Sequence, residues 1–287
     1  MICNLCPRSC GAERTETAGL GYCRMPAAPV LARAALHHWE EPPISGVRGS
    51  GTVFFSGCSL GCLFCQNEKI SHQDFGRAVT PARLREVCQA LIDRGAHNLN
   101  FVNPTHYTHV LAALLSDWRP PVPVVFNTGG YDRVDTLRGL EGKVDVYLPD
   151  LKYLDSGAAR RYSAAPGYPE IAQAAIREMV RQTGPCRFDD NGLLLSGTII
   201  RYLILPGQVN QAKAAMDWVS PGGTCPPARS WTAACAPGRC GRLRSTWRIW
   251  DWQASPRSGP PPGRSTPRPL IFPEYERGLT RCVRPLC

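Results

Sequence analysis

The chain has 287 residues, of which 43% are hydrophobic and 20% are charged, so it can form one large α/β domain and is not disordered throughout. No apolar run reaches the roughly 20 residues that span a bilayer, and the N-terminus lacks the basic and apolar stretches of a signal peptide. We therefore expect a cytoplasmic protein that does not enter a membrane. Its 14 cysteines indicate metal or redox chemistry rather than a disulfide framework.

The net charge of +10 is concentrated at the C-terminal end. Residues 220–287 contain 11 Arg, no Lys and 3 acidic residues, which leaves a charge of only +2 for residues 1–219. The nearly neutral main part argues against a nucleic-acid partner. Residues 220–287 also hold 12 of the 27 Pro and show no periodicity, so we predict a poorly ordered, Arg/Pro-rich tail. Two origins are open for this aberrant segment: a native tail, or the product of a frameshift near Ser220.

Before that point, the sequence predicts strands that alternate with helices. Residues 51–55 form a short β-rich run, and a helix follows with Thr80 as its N-cap and Pro81 in its first turn. We predict further strands at 97–102, 122–126, 144–148 and 198–205, and further helices at 106–118, 169–182 and 208–219. Alternation of this kind implies a parallel sheet with right-handed crossovers, either an open doubly wound sheet or a β/α barrel. In a barrel, chemistry gathers at the C-terminal ends of the strands.

A cysteine motif follows the first of these strands. Cys58, Cys62 and Cys65 are spaced by three and then two residues on one predicted loop. Three thiolates can hold three irons of a four-iron, four-sulfur (4Fe-4S) cluster and leave the fourth iron open for a substrate or cofactor. The alternative is a structural zinc loop that lacks its fourth ligand.

This motif, with Phe64 before its third cysteine, resembles the signature of radical S-adenosylmethionine (radical SAM) enzymes. Within that superfamily, the chain is most similar to pyruvate formate-lyase activating enzymes. Three later motifs carry the same resemblance: 127–131 (NTGGY), 150–152 (DLK) and 201–207 (RYLILPG). The resemblance implies a partial β/α barrel of the radical SAM type over residues 51–219, with residues 1–50 as an N-terminal Cys-rich extension and 220–287 as the tail.

The resemblance also implies which residues bind S-adenosylmethionine (SAM). Asp150 and Lys152 would contact the polar ends of SAM, and Arg201 its carboxylate or ribose. Asn127 lies in the turn after the third strand and is a further candidate. A local ion pair at a strand end is the alternative role for Asp150 and Lys152.

One motif departs from the superfamily. Most members carry Gly-Gly-Glu after the second strand, where the SAM amino group binds, but this chain has Asn103, Pro104 and Thr105 there. Asn103 and Thr105 still offer oxygens to an ammonium group. The alternative is that they only turn the chain into the next helix, with Thr105 as an N-cap. Substrate identity cannot be transferred across this change.

The N-terminal extension contains four further cysteines: Cys3, Cys6, Cys10 and Cys23. Four thiolates complete a site, which would be either structural zinc or a fully ligated second iron-sulfur cluster. Free reduced thiols are the alternative.

The function implied by the resemblance is reductive cleavage of SAM to a 5′-deoxyadenosyl radical, which abstracts a substrate hydrogen. Three possibilities compete: activation of a glycyl-radical enzyme, a radical reaction on another peptide or small molecule, and a non-catalytic metal-binding protein. A flavodoxin- or ferredoxin-type electron donor is the expected partner of the first two.

The last expectation concerns the edge of the sheet. A sixth strand should follow the Arg201 strand, but the segment after Ser220 contains Pro221, Pro226 and Pro227 with two glycines between them. Proline removes hydrogen-bond donors, and glycine has no side chain to pack, so this run cannot form a central strand. We therefore predict five parallel strands and an open edge beside Arg201.

Overall fold

A computed structural model describes residues 1–205, 207–219 and 230–235 of the chain, the last six as backbone only. In that part of the chain, no helix is long and apolar enough to cross a membrane.

The strands form one large sheet and a small N-terminal hairpin. The hairpin pairs β1 with β2, and the large sheet has the order β11-β10-β8-β7-β6-β4-β3-β5, with β9 paired to the beginning of β10. The strand bounds are β1 Ile2–Cys3, β2 Ala12–Glu13, β3 Val30–His37, β4 Ser50–Phe55, β5 Arg77–Ala78, β6 Leu99–Val102, β7 Val124–Thr128, β8 Val146–Pro149, β9 Arg187–Phe188, β10 Leu194–Ile204 and β11 Ser230–Cys235.

The helices connect the parallel strands. Their bounds are α1 Pro42–Ser45, α2 Glu68–His72, α3 Pro81–Asp93, α4 Thr108–Asp117, α5 Val134–Arg138, α6 Ser156–Ser163, α7 Tyr168–Thr183 and α8 Val209–Val219, with a 3-10 turn over Thr105–Tyr107. Thr80 is the N-cap of α3, as predicted, because its hydroxyl oxygen accepts a hydrogen bond from the Arg83 N–H at 3.1 Å.

The predicted alternation of strands and helices is confirmed. The strands β4, β6, β7, β8 and β10 run parallel to their neighbours in that order, each within a few residues of its predicted range. The antiparallel strand β3 was not predicted, because its sequence, VLARAALH, is rich in residues that favour helices when isolated. It lies within residues 1–50, so part of the predicted extension belongs to the main sheet.

The prediction of an open edge beside Arg201 is wrong. β11 pairs in parallel with β10 from Ile199 to Ile204, and its Thr232 lies opposite Arg201. The strand that pairs with β10 begins after the Pro/Gly-rich run, at Ser230, where six consecutive residues lack Pro and Gly. The described sheet therefore has six parallel strands. Residues 220–229 and 236–287, for which poor order was predicted, lie outside the described residues.

The two faces of the sheet have different coverings. Phe101, Phe126 and Tyr147 pack on one face against helices α3, α4, α5 and α7. The side chains that point to the other side of the same strands, among them Val125 and Val146, cover the second face of the sheet, which we call the inner face. Side chains alternate between the faces along each strand, so Asn100, Asn127 and Arg201 also belong to the inner face.

The connection between β3 and β4 covers part of the inner face. Ile44 of α1 is fully buried there against Val125, Val146 and Ile199. The Ile44 carbonyl accepts a hydrogen bond from the Asn98 side-chain amide at 2.7 Å, and the Ser45 hydroxyl accepts one from the Glu40 N–H at 2.9 Å. These contacts fix the position of the preceding Glu40 and Glu41.

We predict that Ile44→Ala lowers the free energy of unfolding by about 2–5 kcal/mol, because it leaves a cavity at a fully buried position. Chemical denaturation measures this change. Val47→Ala is the matched control, since Val47 lies on the same connection and is 90% exposed. Equal stability of the two variants would show that the connection does not contribute to the core.

Candidate functional site

The three central cysteines lie on the loop 57–67, here called the cysteine loop, between β4 and α2. Gly57 begins the loop with a φ of +78°, and a Cβ at this position would lie 2.3 Å from Met25 Cγ, so only glycine fits there. The Gly61 and Leu63 N–H groups donate hydrogen bonds to the carbonyls of Ser163 and Tyr162. The loop is thereby held against the C-terminal end of α6.

The thiols of the cysteine loop are close enough to influence one another. Burial raises the pKa of the Cys58 thiol to about 12, and Cys62 and Cys65 add to the increase. The Leu60 N–H donates to Cys58 Sγ at 3.3 Å, and the Ser163 hydroxyl donates to Cys62 Sγ at 2.9 Å. Both donors favour a thiolate, which is the form that binds metal.

A donor set of three thiols on one loop fits a 4Fe-4S cluster with one open iron. Within the described residues, no three His, Cys, Asp or Glu side chains are gathered closely enough to hold a single metal ion. A cluster is a larger body than one ion, and its thiolate ligands stand correspondingly further apart.

Charged side chains from β8 and β10 meet next to the cysteine loop. Asp150 binds Lys152 through one carboxylate oxygen at 2.6 Å and approaches Arg201 Nε with the other at 2.8 Å. Burial raises the pKa of Cys62, and the positive charge of Lys152 opposes that increase. A Cβ on Gly129, in the turn after β7, would lie 3.1 Å from Leu60 and 3.5 Å from Lys152. The candidate SAM-binding residues Asp150, Lys152 and Arg201 therefore lie together beside the cysteine loop.

These charged groups hold one another in their ionised forms. Burial opposes the charge on Asp150, but Arg201 and Lys152 keep the pKa of its carboxyl below its ordinary value. Burial likewise opposes the charge on Lys152, and Asp150 raises the pKa of the ammonium above its ordinary value. The local ion pair considered for Asp150 and Lys152 is present, and it extends to Arg201.

Two acidic residues that the sequence analysis did not predict also reach this group. Glu40 Oε2 lies 3.4 Å from Arg201 NH1, and Glu41 Oε1 lies 3.9 Å from Arg201 Nε. We call Glu40, Glu41, Asp150, Lys152 and Arg201 the polar cluster. Glu40 and Glu41 belong to no periodic pattern in the sequence, so nothing marked them as site residues. They reach the inner face because they follow the antiparallel strand β3, which was not predicted.

Asn127 lies at the centre of the polar cluster. Its side-chain oxygen accepts a hydrogen bond from Arg201 NH2 at 2.6 Å, and its amide donates to Glu40 Oε1 at 3.3 Å. Among the predicted SAM-binding residues, Asn127 is thus brought together with Asp150, Lys152 and Arg201.

Asn103 and Thr105 point in different directions. The Asn103 amide donates to the Gly57 carbonyl at 2.5 Å, and its side-chain oxygen lies 3.6 Å from Cys58 Sγ. The Thr105 hydroxyl instead donates to buried Asp132 at 2.6 Å. Asn103 therefore lies at the cysteine loop with a φ of +56°, whereas Thr105 is engaged away from it.

The N-terminal cysteines form a second group. Burial raises the pKa of Cys6 to about 11, with further increases from Cys23, Cys3 and Cys10. Gly21 lies so close that its Cβ would be 3.0 Å from Cys10 Sγ. The four thiols lie near one another, and all are free.

Arg8 ties this segment to the cysteine loop. Its Nε donates to the Ser59 carbonyl at 2.7 Å, and its NH1 donates to the Ala164 carbonyl at the same distance. The guanidinium also lies 3.9 Å from the centroid of the Tyr22 ring, which is a cation–π distance.

The segment that contains the cysteine loop is similar to a known family of domains. Residues 45–147 match a family model described as a 4Fe-4S single cluster domain. The match includes Cys58, Cys62 and Cys65 and supports the prediction of a 4Fe-4S cluster. Cys3, Cys6, Cys10 and Cys23 lie outside it, as do Asp150, Lys152 and Arg201.

The chain is also similar to an uncharacterised protein, MJ0674, of Methanocaldococcus jannaschii. The two are 30% identical over 219 residues, which are 72% of this chain and 58% of the relative. The chain thus spans less than two thirds of the length of this curated relative.

Among solved structures, the chain is similar to Streptococcus suis SuiB, with a TM-score of 0.44, 13% identity, and coverage of 70% of this chain and 41% of SuiB. The structure of SuiB bound to S-adenosylmethionine gives a TM-score of 0.43 and 14% identity, and covers 67% of this chain and 41% of that one.

We predict that Asp150→Asn lowers the free energy of unfolding by about 3 kcal/mol at pH 7, because it leaves Lys152 and Arg201 without their shared carboxylate. The pKa of Asp150 is lowered in the folded state. The ionised Asp150 side chain therefore adds to the free energy of unfolding above the ordinary pKa of an aspartate, and this stabilisation is lost as the pH falls through the lowered pKa. Denaturant unfolding from pH 7 to pH 2 should show a constant difference between the two proteins at first and a narrowing difference once the pH falls below the ordinary value of 3.8. Asp117→Asn, at an exposed position, is the control. A constant difference between wild type and Asp150→Asn at all pH values would contradict the assigned pairing.

Proposed function

We propose that the chain is a radical SAM enzyme. It would bind a 4Fe-4S cluster through Cys58, Cys62 and Cys65 and cleave SAM reductively to methionine and a 5′-deoxyadenosyl radical, which takes a hydrogen atom from a substrate. One observation carries the proposal. A three-cysteine loop, in a segment that matches a 4Fe-4S domain, lies directly beside a buried polar cluster at the C-terminal ends of parallel strands.

Different side chains around the cysteine loop would bind the cluster and SAM. The three thiolates would hold three irons and leave one free for SAM. Lys152 is positioned by Asp150 and supplies a positive charge next to Cys62, where it favours the thiolate and any carboxylate bound nearby. Arg201 is held by Asp150 and Asn127 and presents a forked set of donors.

In this proposal, Asn103 takes over part of the role of the missing Gly-Gly-Glu motif, which binds the SAM amino group in most members of the superfamily. Asn103 would contribute the oxygen that lies beside Cys58, because an amide oxygen accepts hydrogen bonds from an ammonium group. Thr105 would act indirectly, since its hydroxyl is committed to Asp132 and fixes the turn that carries Asn103.

The sheet also protects this chemistry. Because β11 pairs along β10 beside Arg201, the backbone edge there is covered and water has less access to the polar cluster. Exclusion of water and of stray hydrogen donors keeps a radical available to its substrate.

The identity of the substrate is a separate proposal. Activation of a glycyl-radical enzyme is the first candidate, and another peptide or small molecule is the second. Reduction would come from a flavodoxin- or ferredoxin-type protein. Leu63 is 78% exposed between Cys62 and Cys65, so a donor could approach within a residue of the thiols.

The four N-terminal thiols would form a second metal centre. A second iron-sulfur cluster is favoured over structural zinc, because no three of the described His, Cys, Asp or Glu side chains are gathered closely enough to hold a single ion. Their mutual effects on pKa support this proposal, as does the docking of their segment on the cysteine loop through Arg8.

The central test is formation of 5′-deoxyadenosine. We predict that anaerobically reconstituted protein with dithionite and SAM forms it, and that the Cys58→Ala, Cys62→Ala, Cys65→Ala triple variant falls to the background of the reagents. Cys88→Ala is the control, since Cys88 is buried within α3 away from the loop. Undiminished product from the triple variant would overturn the proposal, and a wild type that binds iron without cleaving SAM would favour the non-catalytic alternative.

The second centre has its own test. We predict that reconstituted wild type binds metal in excess of one cluster, and that Cys3→Ser with Cys6→Ser removes the excess while the electronic spectrum of the catalytic cluster is retained. Elemental analysis for iron and zinc, paired with absorption spectroscopy, measures both quantities. Iron and zinc contents equal to those of wild type would show that these thiols are not ligands.

A further inference from the structure

Glu40 is a buried carboxylate whose hydrogen bonding is weak. Its side chain is only 10% exposed, yet its two oxygens have long contacts, 3.3 Å from the Asn127 amide and 3.4 Å from Arg201 NH1. Arg201 directs its shorter contacts to Asn127 and Asp150, at 2.6 and 2.8 Å. Buried carboxylates ordinarily accept short, charge-assisted hydrogen bonds, so Glu40 has unused acceptor capacity.

Asn100 gives a second and independent indication at the same place. It lies on β6 and is fully buried, and its side chain is close enough to Glu40 to oppose part of the increase that burial causes in the pKa of that carboxyl. However, neither its amide nitrogen nor its side-chain oxygen completes a hydrogen bond of normal geometry. A buried amide in this state is uncommon, and it calls for a partner that the described residues do not supply.

Space next to these groups is accessible. The neighbouring side chains of Arg201 and Asp150 are 23% and 25% exposed, although Asp150 directly follows β8, whose side chains are buried, and Arg201 lies between buried Ile200 and Tyr202. Solvent therefore reaches both of these side chains, as it would not in a sealed structural ion network.

The complement of Glu40 and Asn100 is a positively charged group with several hydrogen-bond donors. A primary ammonium meets both requirements, because it carries three donors and a compact charge. A neutral hydroxyl would leave the carboxylate uncompensated, and burial already raises the pKa of Glu40, an effect that Arg201 offsets only in part.

We propose that Glu40 and Asn100 form a binding site for a primary ammonium group. This inference rests on the proposed function, in which the inner face receives the ligands of the reaction. Arg201 and Asp150 lie between Glu40 and Lys152, the residue next to the cysteine loop. The geometry therefore favours the ammonium group of the hydrogen-donating substrate over that of SAM.

The test compares two probes of matched shape and different charge. Anaerobically reconstituted wild type is titrated with n-pentylamine and with 1-pentanol, and binding is followed by the shift in Tm. We expect the amine to bind more tightly than the alcohol, and Glu40→Gln to weaken amine binding about tenfold, the loss expected for one charged hydrogen bond. Glu40→Asp keeps the charge and should retain part of the preference. Glu170→Gln, at an exposed position, should bind as wild type does.

A second arm distinguishes the two sources of an ammonium group. SAM affinity is measured by calorimetry for wild type and Glu40→Gln. Unchanged SAM affinity with loss of the amine preference assigns the site to the substrate, and a parallel loss of SAM affinity assigns it to SAM. Equal binding of amine and alcohol by wild type, or an amine preference that persists in Glu40→Gln, overturns the proposal. These measurements need no reductant, so they are read separately from 5′-deoxyadenosine formation, on which the proposed function depends.

Discussion

The shared carboxylate of Asp150 is the interaction on which the site depends. Asp150 lies just beyond the end of β8 and holds Lys152 with one oxygen and Arg201 with the other. Burying two cations is costly unless each has a short, well-oriented partner, and Asp150 meets this need for both. The parallel pairing of β8 and β10 brings these side chains to one place, since Asp150 and Arg201 form a backbone bridge between the two chain segments.

Two parts of the molecule are connected through this carboxylate. On one side, the positive charge of Lys152 lies close enough to Cys62 to oppose the increase that burial causes in the pKa of that thiol. On the other, Arg201 contacts Glu40 and Asn127 on the inner face. The arrangement provides a continuous polar path from a metal-binding loop to a pair of acids. Such a path suits a reaction in which a cofactor and a second molecule must lie in contact without surrounding water.

The sequence allowed most of the central fold to be predicted, because its strands are short apolar runs and its helices have clear signals such as Thr80 and Pro81. The spacing of its cysteines located the cysteine loop, and the resemblance of the 150–152 and 201–207 motifs to those of radical SAM enzymes pointed to Asp150, Lys152 and Arg201. The contribution of Glu40 and Glu41 could not be predicted, because it depends on the pairing of β3 with β4, which no local pattern encodes. The same limitation applied to β11, whose pairing with β10 across a Pro/Gly-rich segment is a tertiary effect.

The most direct measurement of the central claim is electron paramagnetic resonance of the reduced, anaerobically reconstituted protein during titration with SAM. If three cysteines hold a cluster whose open iron faces the polar cluster, the signal of the reduced cluster should change on addition of SAM and saturate at one SAM per cluster. Asp150→Asn should need more SAM to reach the same change, because Lys152 and Arg201 lose their positioning. A cluster signal that is identical with and without SAM would contradict the account.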